Sequence, residues 1–240
     1  MCGITYLMSI PVAAADETGL TMKVGQATAL VAARCQGRPV LEFSVGRRGR
    51  LGRADVADIQ LNSLDGYEIK TAGDSLGRLP SQVQVYSLIF DRCWAVVAPN
   101  HLDRTMATVP GWWGVQVLDG QLQPVRPAQP APCGSCRLLL GLLWKPEIME
   151  LLRRLGEQPD RNSTVISLYR QLASALGVSY SPRVQTTQPD LHDLRAVVRW
   201  ALLRRQTELD RRHPEQARWP GNTRVLAPWP FRPVPAGTAT

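Results

Sequence analysis

The chain has 240 residues, of which 44% are hydrophobic, and a formal net charge of +8. This length is enough for one large domain or two small ones, and its apolar runs are far shorter than the ~20 residues of a membrane-spanning helix. We therefore exclude a membrane protein and expect a cytoplasmic one. Most of the excess positive charge lies after residue 136, which favours a polyanionic partner such as nucleic acid.

The hydrophobic pattern predicts an α/β protein whose first half has the element order α-β-β-β-α-β-α-β. Residues 20–36 have helical spacing, and the first strand is expected at 40–45. Two alternating runs flank a segment rich in turn-forming residues and predict an antiparallel hairpin, with strands at 53–59 and 66–70. A helix with Pro80 in its first turn follows. After it we expect a strand, a short helix and a fifth strand, at 93–98, 101–109 and 113–118.

The predicted hairpin carries two acids and a lysine in a pattern typical of a metal site. Glu68 and Lys70 share one face of their strand because side chains alternate with period two. If an even-numbered loop closes the hairpin, Asp55 lies on that face as well. Converging carboxylates repel each other, and a hard cation such as Mg²⁺ or Mn²⁺ relieves that repulsion. An exposed hairpin without chemistry is the alternative.

Further polar residues are expected near this hairpin. Gln82 and Tyr86 are four positions apart and therefore share one side of the helix that begins near Pro80. Glu42, on the first strand, is a candidate third carboxylate. Arg53 belongs to a basic turn that either contacts a phosphate backbone or is simply solvated. The other members of that turn are Arg47, Arg48 and Arg50.

The order of elements, Asp55, the Glu68-Ile69-Lys70 triplet and the Gln82-x-x-x-Tyr86 spacing together resemble the PD-(D/E)XK nuclease superfamily. Four segments are more closely similar to a bacterial family of unassigned function that is grouped with these nucleases. They are Gly66-Tyr67-Glu68-Ile69-Lys70, Arg78-Leu79-Pro80, Phe90-Asp91 and Trp112-Trp113-Gly114. The similarity covers about residues 39–118 and, more loosely, the helices up to residue 205. One departure is Ala54, where the superfamily often has a proline before the first acid.

This resemblance implies a restriction-endonuclease-like α-β-β-β-α-β core with a mixed sheet. It also implies that Asp55, Glu68 and the main-chain carbonyl of Ile69 bind Mg²⁺ or Mn²⁺, and that Lys70 serves the attacking water. Four further residues would organise the site or bind a substrate phosphate: Gln82, Tyr86, Arg53 and Arg78. The implied function is metal-dependent hydrolysis of phosphodiester bonds. DNA is the expected partner, in repair, defence or a mobile element.

Composition changes along the chain and predicts five segments. These are an N-terminal extension (1–19), the nuclease-like core (20–119), a Pro-rich linker (120–136), a basic helical lobe (137–213) and a Pro-rich tail (214–240). Within the lobe, helices are expected at 137–144, at 146–155, from a Ser163 cap to Gly177, and at 190–212. The last helix has an apolar face, and four arginines lie off it, where they are either solvated or contact nucleic acid. They are Arg195, Arg199, Arg204 and Arg205.

Two other functions fit the sequence. The protein could retain the nuclease fold and bind nucleic acid without cleaving it. Residues 172–179 resemble the first helix and turn of a helix-turn-helix regulator, which would need an ordered helix after Val178. Cys133 and Cys136 lack a second cysteine pair at ligand spacing, so we expect thiols, with a disulfide or a shared metal as the alternative. The sequence leaves a homodimer or a larger complex open.

Overall fold

The computed structural model describes residues 23–46, 49, 51–181, 186–187, 189–213 and 229–231. The helices are α1 (Val24–Arg34), α2 (Leu79–Tyr86), α3 (Leu102–Thr108), α4 (Cys136–Leu140), α5 (Lys145–Arg154), α6 (Val165–Ala175) and α7 (His192–Arg212). The strands are β1 (Arg38–Val45), β2 (Gly52–Ile59), β3 (Leu64–Lys70), β4 (Arg92–Val97), β5 (Gly114–Asp119), β6 (Gln121–Arg126), β7 (Cys133–Gly134) and β8 (Thr186–Thr187).

Six strands form one mixed sheet in the order β1-β2-β3-β4-β5-β6. The pairs β1·β2, β2·β3 and β5·β6 are antiparallel, whereas β3·β4 and β4·β5 are parallel. The parallel pairs are connected through α2 and α3, as parallel strands require. The predicted α/β class, its mixed sheet and the order of the first eight elements are therefore confirmed.

The β2·β3 register decides the parity question that the sequence left open. Val56 pairs with Tyr67, and Ile59 pairs with Leu64. The loop that closes this hairpin therefore has an even number of residues. In this register Asp55 is opposite Glu68, so both side chains lie on the same face of the sheet.

The segment predicted as a linker begins with a strand. β6 pairs antiparallel with β5 along the edge of the sheet, after a tight turn at Gly120, whose φ is +67°. Pro124 lies within β6. Proline has no backbone N–H, and an edge strand tolerates it because the groups on its outer side need no partner strand. The proline content therefore misled the linker prediction. The part of 120–136 that forms β6 belongs to the sheet.

The two faces of the sheet are covered differently. α1 packs on one face, where Ala27 and Val31 share a core with Val56, Ile69 and Val96. On the other face, α2 and helices α4 to α7 share one continuous hydrophobic core with the sheet. The predicted helical lobe is therefore packed directly on the sheet.

The arginines of α7 do not form the free basic face that the sequence suggested. Arg195 and Arg199 are buried, and their guanidinium groups lie 2.9 and 3.1 Å from the carboxylate oxygens of Asp91. Arg204 is paired with Glu150, and Arg205 with Glu147 on α5. Helical periodicity cannot reveal these acids, because they lie on other elements. These four arginines therefore connect α7 to α5 and to the segment directly before β4.

Three smaller predictions also meet the structure. The cap of α6 is Thr164, whose side chain accepts a hydrogen bond from the Ser167 N–H, in place of the predicted Ser163. Within the described part of 176–191, the only helical segment is a short 3₁₀ helix, Pro189–Leu191. The second helix of a helix-turn-helix therefore does not follow Val178 there. The described cysteines form no disulfide.

Some predictions fall on residues outside those described. They are the N-terminal extension, most of the Pro-rich tail, and Arg47, Arg48 and Arg50 of the basic turn. Among the helices that the structure does describe, none has the length and apolar character required to cross a membrane.

Candidate active site

Glu68 and Lys70 form a buried ion pair on β3, one of the central strands. Lys70 Nζ lies 2.6 Å from Glu68 Oε1, and the two side chains are only 5% and 3% exposed. A charged pair in this position costs desolvation energy that an apolar pair would avoid. Buried charged groups of this kind are concentrated at functional sites.

Asp55 faces the same space from β2. Its Oδ2 accepts a hydrogen bond of 2.6 Å from the Ile69 N–H, which ties it to β3. The pKa of the Asp55 carboxyl is raised to about 6, first by burial and then by the negative charge of Glu68. The Ile69 hydrogen bond and the Lys70 ammonium act in the opposite direction. Asp55 is therefore close enough to Glu68 for the negative charge of Glu68 to disfavour ionisation of Asp55.

Helix α2 supplies two partners for Glu68. Gln82 Nε2 donates a 2.6 Å hydrogen bond to Glu68 Oε1. The Tyr86 hydroxyl lies 3.0 Å from Glu68 Oε2 and 2.8 Å from the Arg53 carbonyl oxygen, so it donates to one or the other. Tyr86 is itself fixed by packing against Phe90 and Trp113. The spacing of four along α2 thus places both polar groups on the carboxylate.

These groups line one open, largely polar cavity of about 610 Å³. Seven of the predicted site residues contribute to its wall besides Asp55: Glu42, Arg53, Glu68, Ile69, Lys70, Arg78 and Gln82. Tyr86 lies behind the wall. Arg53 and Arg78 are exposed at this cavity, Arg78 as the residue that precedes α2. The structure therefore brings together all the described residues that the sequence assigned to the site.

Glu42 occupies an unusual position on β1. In the β1·β2 register Leu41 pairs with Val56 and Phe43 with Ala54, which puts Glu42 opposite Asp55. Its φ is +54°, and it is the one described residue other than glycine with a positive φ. This conformation costs about 1–3 kcal/mol and is concentrated at functional sites. The Glu42 carboxylate is paired with the Arg53 guanidinium.

The oxygen donors present here fit a small divalent cation. Asp55 and Glu68 share the cavity with Glu42 and Asp74, and Gln82 Oε1 is buried without a hydrogen-bond partner among the described residues. Mg²⁺ prefers such oxygen ligands and keeps several waters. No group of three or more His, Cys, Asp or Glu side chains in the described residues is arranged to hold a metal. The candidate donors are therefore Asp55 and Glu68 together with neutral oxygens. For Ile69 the structure shows the N–H bond to Asp55, and its carbonyl stays a predicted ligand.

One acid at the cavity was missed by sequence reasoning. Asp74 lines the wall, and its Oδ2 accepts 2.7 Å hydrogen bonds from the Thr71 N–H and hydroxyl. The loop is also held from the β4 side, because Asn100 Nδ2 donates to the Ala72 carbonyl oxygen and His101 Nε2 lies 3.1 Å from the Thr71 carbonyl oxygen. The polar stretch directly after Lys70 was the available signal for this loop.

Comparison with protein families gives a match to the family described as bacteriophage P4 protein cII, over residues 36–180. This match covers more than half of the chain. The chain belongs to the bacteriophage P4 protein cII family. The matched region of this cII family member runs from the residues before β1 to those after α6, and it contains every residue of the cavity except Val24.

Two further comparisons add little to the family assignment. The "SPO1766 protein of unknown function from Silicibacter pomeroyi" is a solved structure with 21% sequence identity and a TM-score of 0.37. The alignment covers 60% of this chain and 100% of that one. A search of curated proteins found no match.

Proposed function

We propose that this cII family member is a metal-dependent nuclease with a PD-(D/E)XK-like, restriction-endonuclease-like core. The observation that carries the proposal is the convergence of Asp55, Glu68 and Lys70 with Gln82 in one cavity. Each residue type is common, but a buried Glu-Lys pair beside a second acid has a stability cost that chemistry would explain. DNA is the proposed substrate. The family is named after a bacteriophage protein, which supports a role in a mobile element over repair or defence.

The chain's own residues suit hydrolysis of a phosphodiester. Asp55 and Glu68 would hold Mg²⁺ or Mn²⁺, which would stabilise charge on the phosphate and lower the pKa of a water. Lys70 uses one N–H on Glu68 and keeps two for the attacking water or a phosphate oxygen. The water oxygen forms the new bond to phosphorus, and the bond to the leaving oxygen breaks. The water proton passes to solvent, and the leaving oxygen takes up a proton from solvent to become a hydroxyl.

The residues around the acids have supporting roles in this proposal. Gln82 and Tyr86 orient Glu68 through hydrogen bonds to its two oxygens. Arg53 and Arg78 are exposed at the cavity and suit the phosphates on either side of the reacting one, since guanidinium groups bind phosphate in a bidentate manner. Arg53 would exchange its Glu42 partner for such a phosphate.

The proposal is tested by incubating circular and linear DNA, and RNA of the same sequence, with the protein and Mg²⁺ or Mn²⁺. We expect cleavage of DNA that EDTA abolishes. Glu68→Gln should lower the rate at least about 100-fold, the size of effect seen when one group that stabilises a transition state is removed. Asp103→Asn changes an exposed acid on α3 and serves as the matched control. Equal rates for wild type and Glu68→Gln would refute the proposed site.

A further inference from the structure

A second cavity of about 460 Å³ lies beside the carboxylate cavity. The two cavities share Glu42, Ser44 and Gly49 in their walls. The second one extends from β1 towards helices α5, α6 and α7. Its volume falls within the range of pockets that bind small organic groups, roughly 300–1,000 Å³. A strand of substrate that crosses the first cavity therefore passes directly next to the second.

The walls of this second cavity are mainly apolar, with aromatic and cationic groups among them. Phe43 and Tyr169 are almost fully buried in its walls, whereas Trp144 is 57% exposed. Lys145 lines the cavity and donates one N–H to the Arg161 carbonyl oxygen, so the ammonium keeps further donors. The Arg205 guanidinium, which is paired with Glu147, lies over the Trp144 ring, 4.2 Å from its centroid. An exposed indole beside cations is a surface on which flat π systems stack.

The strand that forms one side of this cavity also offers polar groups. β1 is an edge strand of the six-stranded sheet and pairs only with β2 in the described residues. Alternate main-chain N–H and C=O groups of an edge strand have no partner strand. These groups match the polar edge of a nucleobase, while Trp144 and the apolar walls match its faces.

We propose that this second cavity binds one nucleobase of the strand whose phosphate lies over Asp55 and Glu68. The inference rests on the proposed function and narrows its substrate. A base in a duplex is paired and stacked, and cannot enter a side cavity without being extruded. The preferred substrate is therefore a strand that is single or unpaired next to the site of cleavage, such as a flap, a gap or a free end.

The test measures binding without cleavage. A fluorescein-labelled 12-nucleotide oligothymidine, the same strand with abasic sites, and a blunt duplex are titrated with the full chain in Ca²⁺ and, separately, in EDTA. We expect the single strand to bind most tightly. Trp144→Ala should weaken its binding about tenfold, since stacking of one base on an aromatic ring has an effect of this size. Trp144→Phe keeps a ring and should stay within about threefold of wild type.

Val125→Ala is the control, because Val125 is 45% exposed on β6, at the opposite edge of the sheet from β1. It should bind all three probes as wild type does. The inference is overturned if the abasic strand binds as tightly as the intact strand, if Trp144→Ala has no effect, or if no probe binds. Base-dependent binding without any cleavage in Mg²⁺ would refute the proposed nuclease activity and support the nucleobase-binding cavity. Cleavage with base-independent binding would do the reverse.

Discussion

At the scale of single residues, the candidate site buries charged side chains, and their desolvation lowers the stability of the fold. Lys70 and Glu68 are almost fully buried, and burial together with the nearby charge of Glu68 raises the pKa of Asp55. Hydrogen bonds from Gln82, Tyr86 and the Ile69 N–H offset part of this cost. Removing one of them tests how far the arrangement depends on its supports.

The Tyr86 hydroxyl provides such a test. Tyr86→Phe keeps the packing of the ring and removes the donor shared by Glu68 and the Arg53 carbonyl oxygen. We expect a loss of about 1–2 kcal/mol in the free energy of unfolding, because a buried acceptor loses its partner. Urea denaturation measures it. Tyr67→Phe, on the same strand as Glu68 but on the other face of the sheet, is the comparison, and an equal loss in both variants would contradict a specific role for Tyr86.

Asp65 makes a prediction about pH. Burial raises the pKa of its carboxyl to about 6, although the Ser63 hydroxyl and Arg92 act against that rise. An unfolded Asp has a pKa near 3.9, so the folded state holds the proton more tightly. The contribution of Asp65 to stability is therefore favourable below about pH 4 and is lost as the pH rises through 6.

Asp65→Asn removes this loss. We expect the variant to gain roughly 2 kcal/mol in the free energy of unfolding relative to wild type between pH 4 and pH 7.5, since a shift of one pKa unit corresponds to about 1.36 kcal/mol. Urea denaturation at both pH values measures the change. A difference between variant and wild type that does not depend on pH would contradict this account, because it would mean that the pKa of Asp65 is the same in the folded and unfolded states.

At the scale of elements, the sequence could predict the hairpin but not what pairs with it. Alternation locates β2 and β3, and their even loop follows from the observed register, so Asp55 and Glu68 meet as expected. β6 was missed because Pro124 suggests a linker when its position at the edge of a sheet is unknown. Local patterns report spacing along one element. They do not report the neighbour on the next.

The turn between β5 and β6 gives a matched pair of glycine variants. Gly120 has a φ of +67°, Gly73 does not have a positive φ, and a Cβ added at either meets no atom within 4 Å. Gly120→Ala should destabilise the fold by about 1–2 kcal/mol because an L-residue is strained in the left-handed region. Gly73→Ala should change stability little. Similar effects in urea denaturation would mean that the turn does not have this conformation.

At the scale of the whole molecule, buried ion pairs and a shared core join the helices to the sheet. Arg199 and Asp91 are 108 positions apart, and Arg195 bonds the Ile89 carbonyl oxygen beside Asp91. No pattern within α7 could reveal these distant partners. The arginines that predicted a basic lobe instead make ion pairs inside the protein. The Phe90-Asp91 pair, noted only as part of a resemblance, has a structural role.

The ion pairs of Asp91 with α7 predict a large effect of removing the carboxylate. Asp91→Ala leaves Arg195 and Arg199 buried without their carboxylate and should cost about 3–5 kcal/mol, the effect of breaking a buried pair. The shared core also makes a prediction about cooperativity. Because sheet and helices share one core, wild type should unfold in a single transition when followed by circular dichroism and by tryptophan fluorescence. Two separated transitions would show that the helices form an independent domain.

The most direct test of the central claim is the single-turnover rate of cleavage of end-labelled, partly single-stranded DNA in Mg²⁺ by wild type and Lys70→Met. Wild type should cleave, and the variant should be at least about 100-fold slower while its circular dichroism spectrum is unchanged, because the lost ammonium would act on the attacking water or the phosphate. Cleavage by both proteins at the same rate, or by neither, would contradict the assignment of Asp55, Glu68 and Lys70 as a nuclease site.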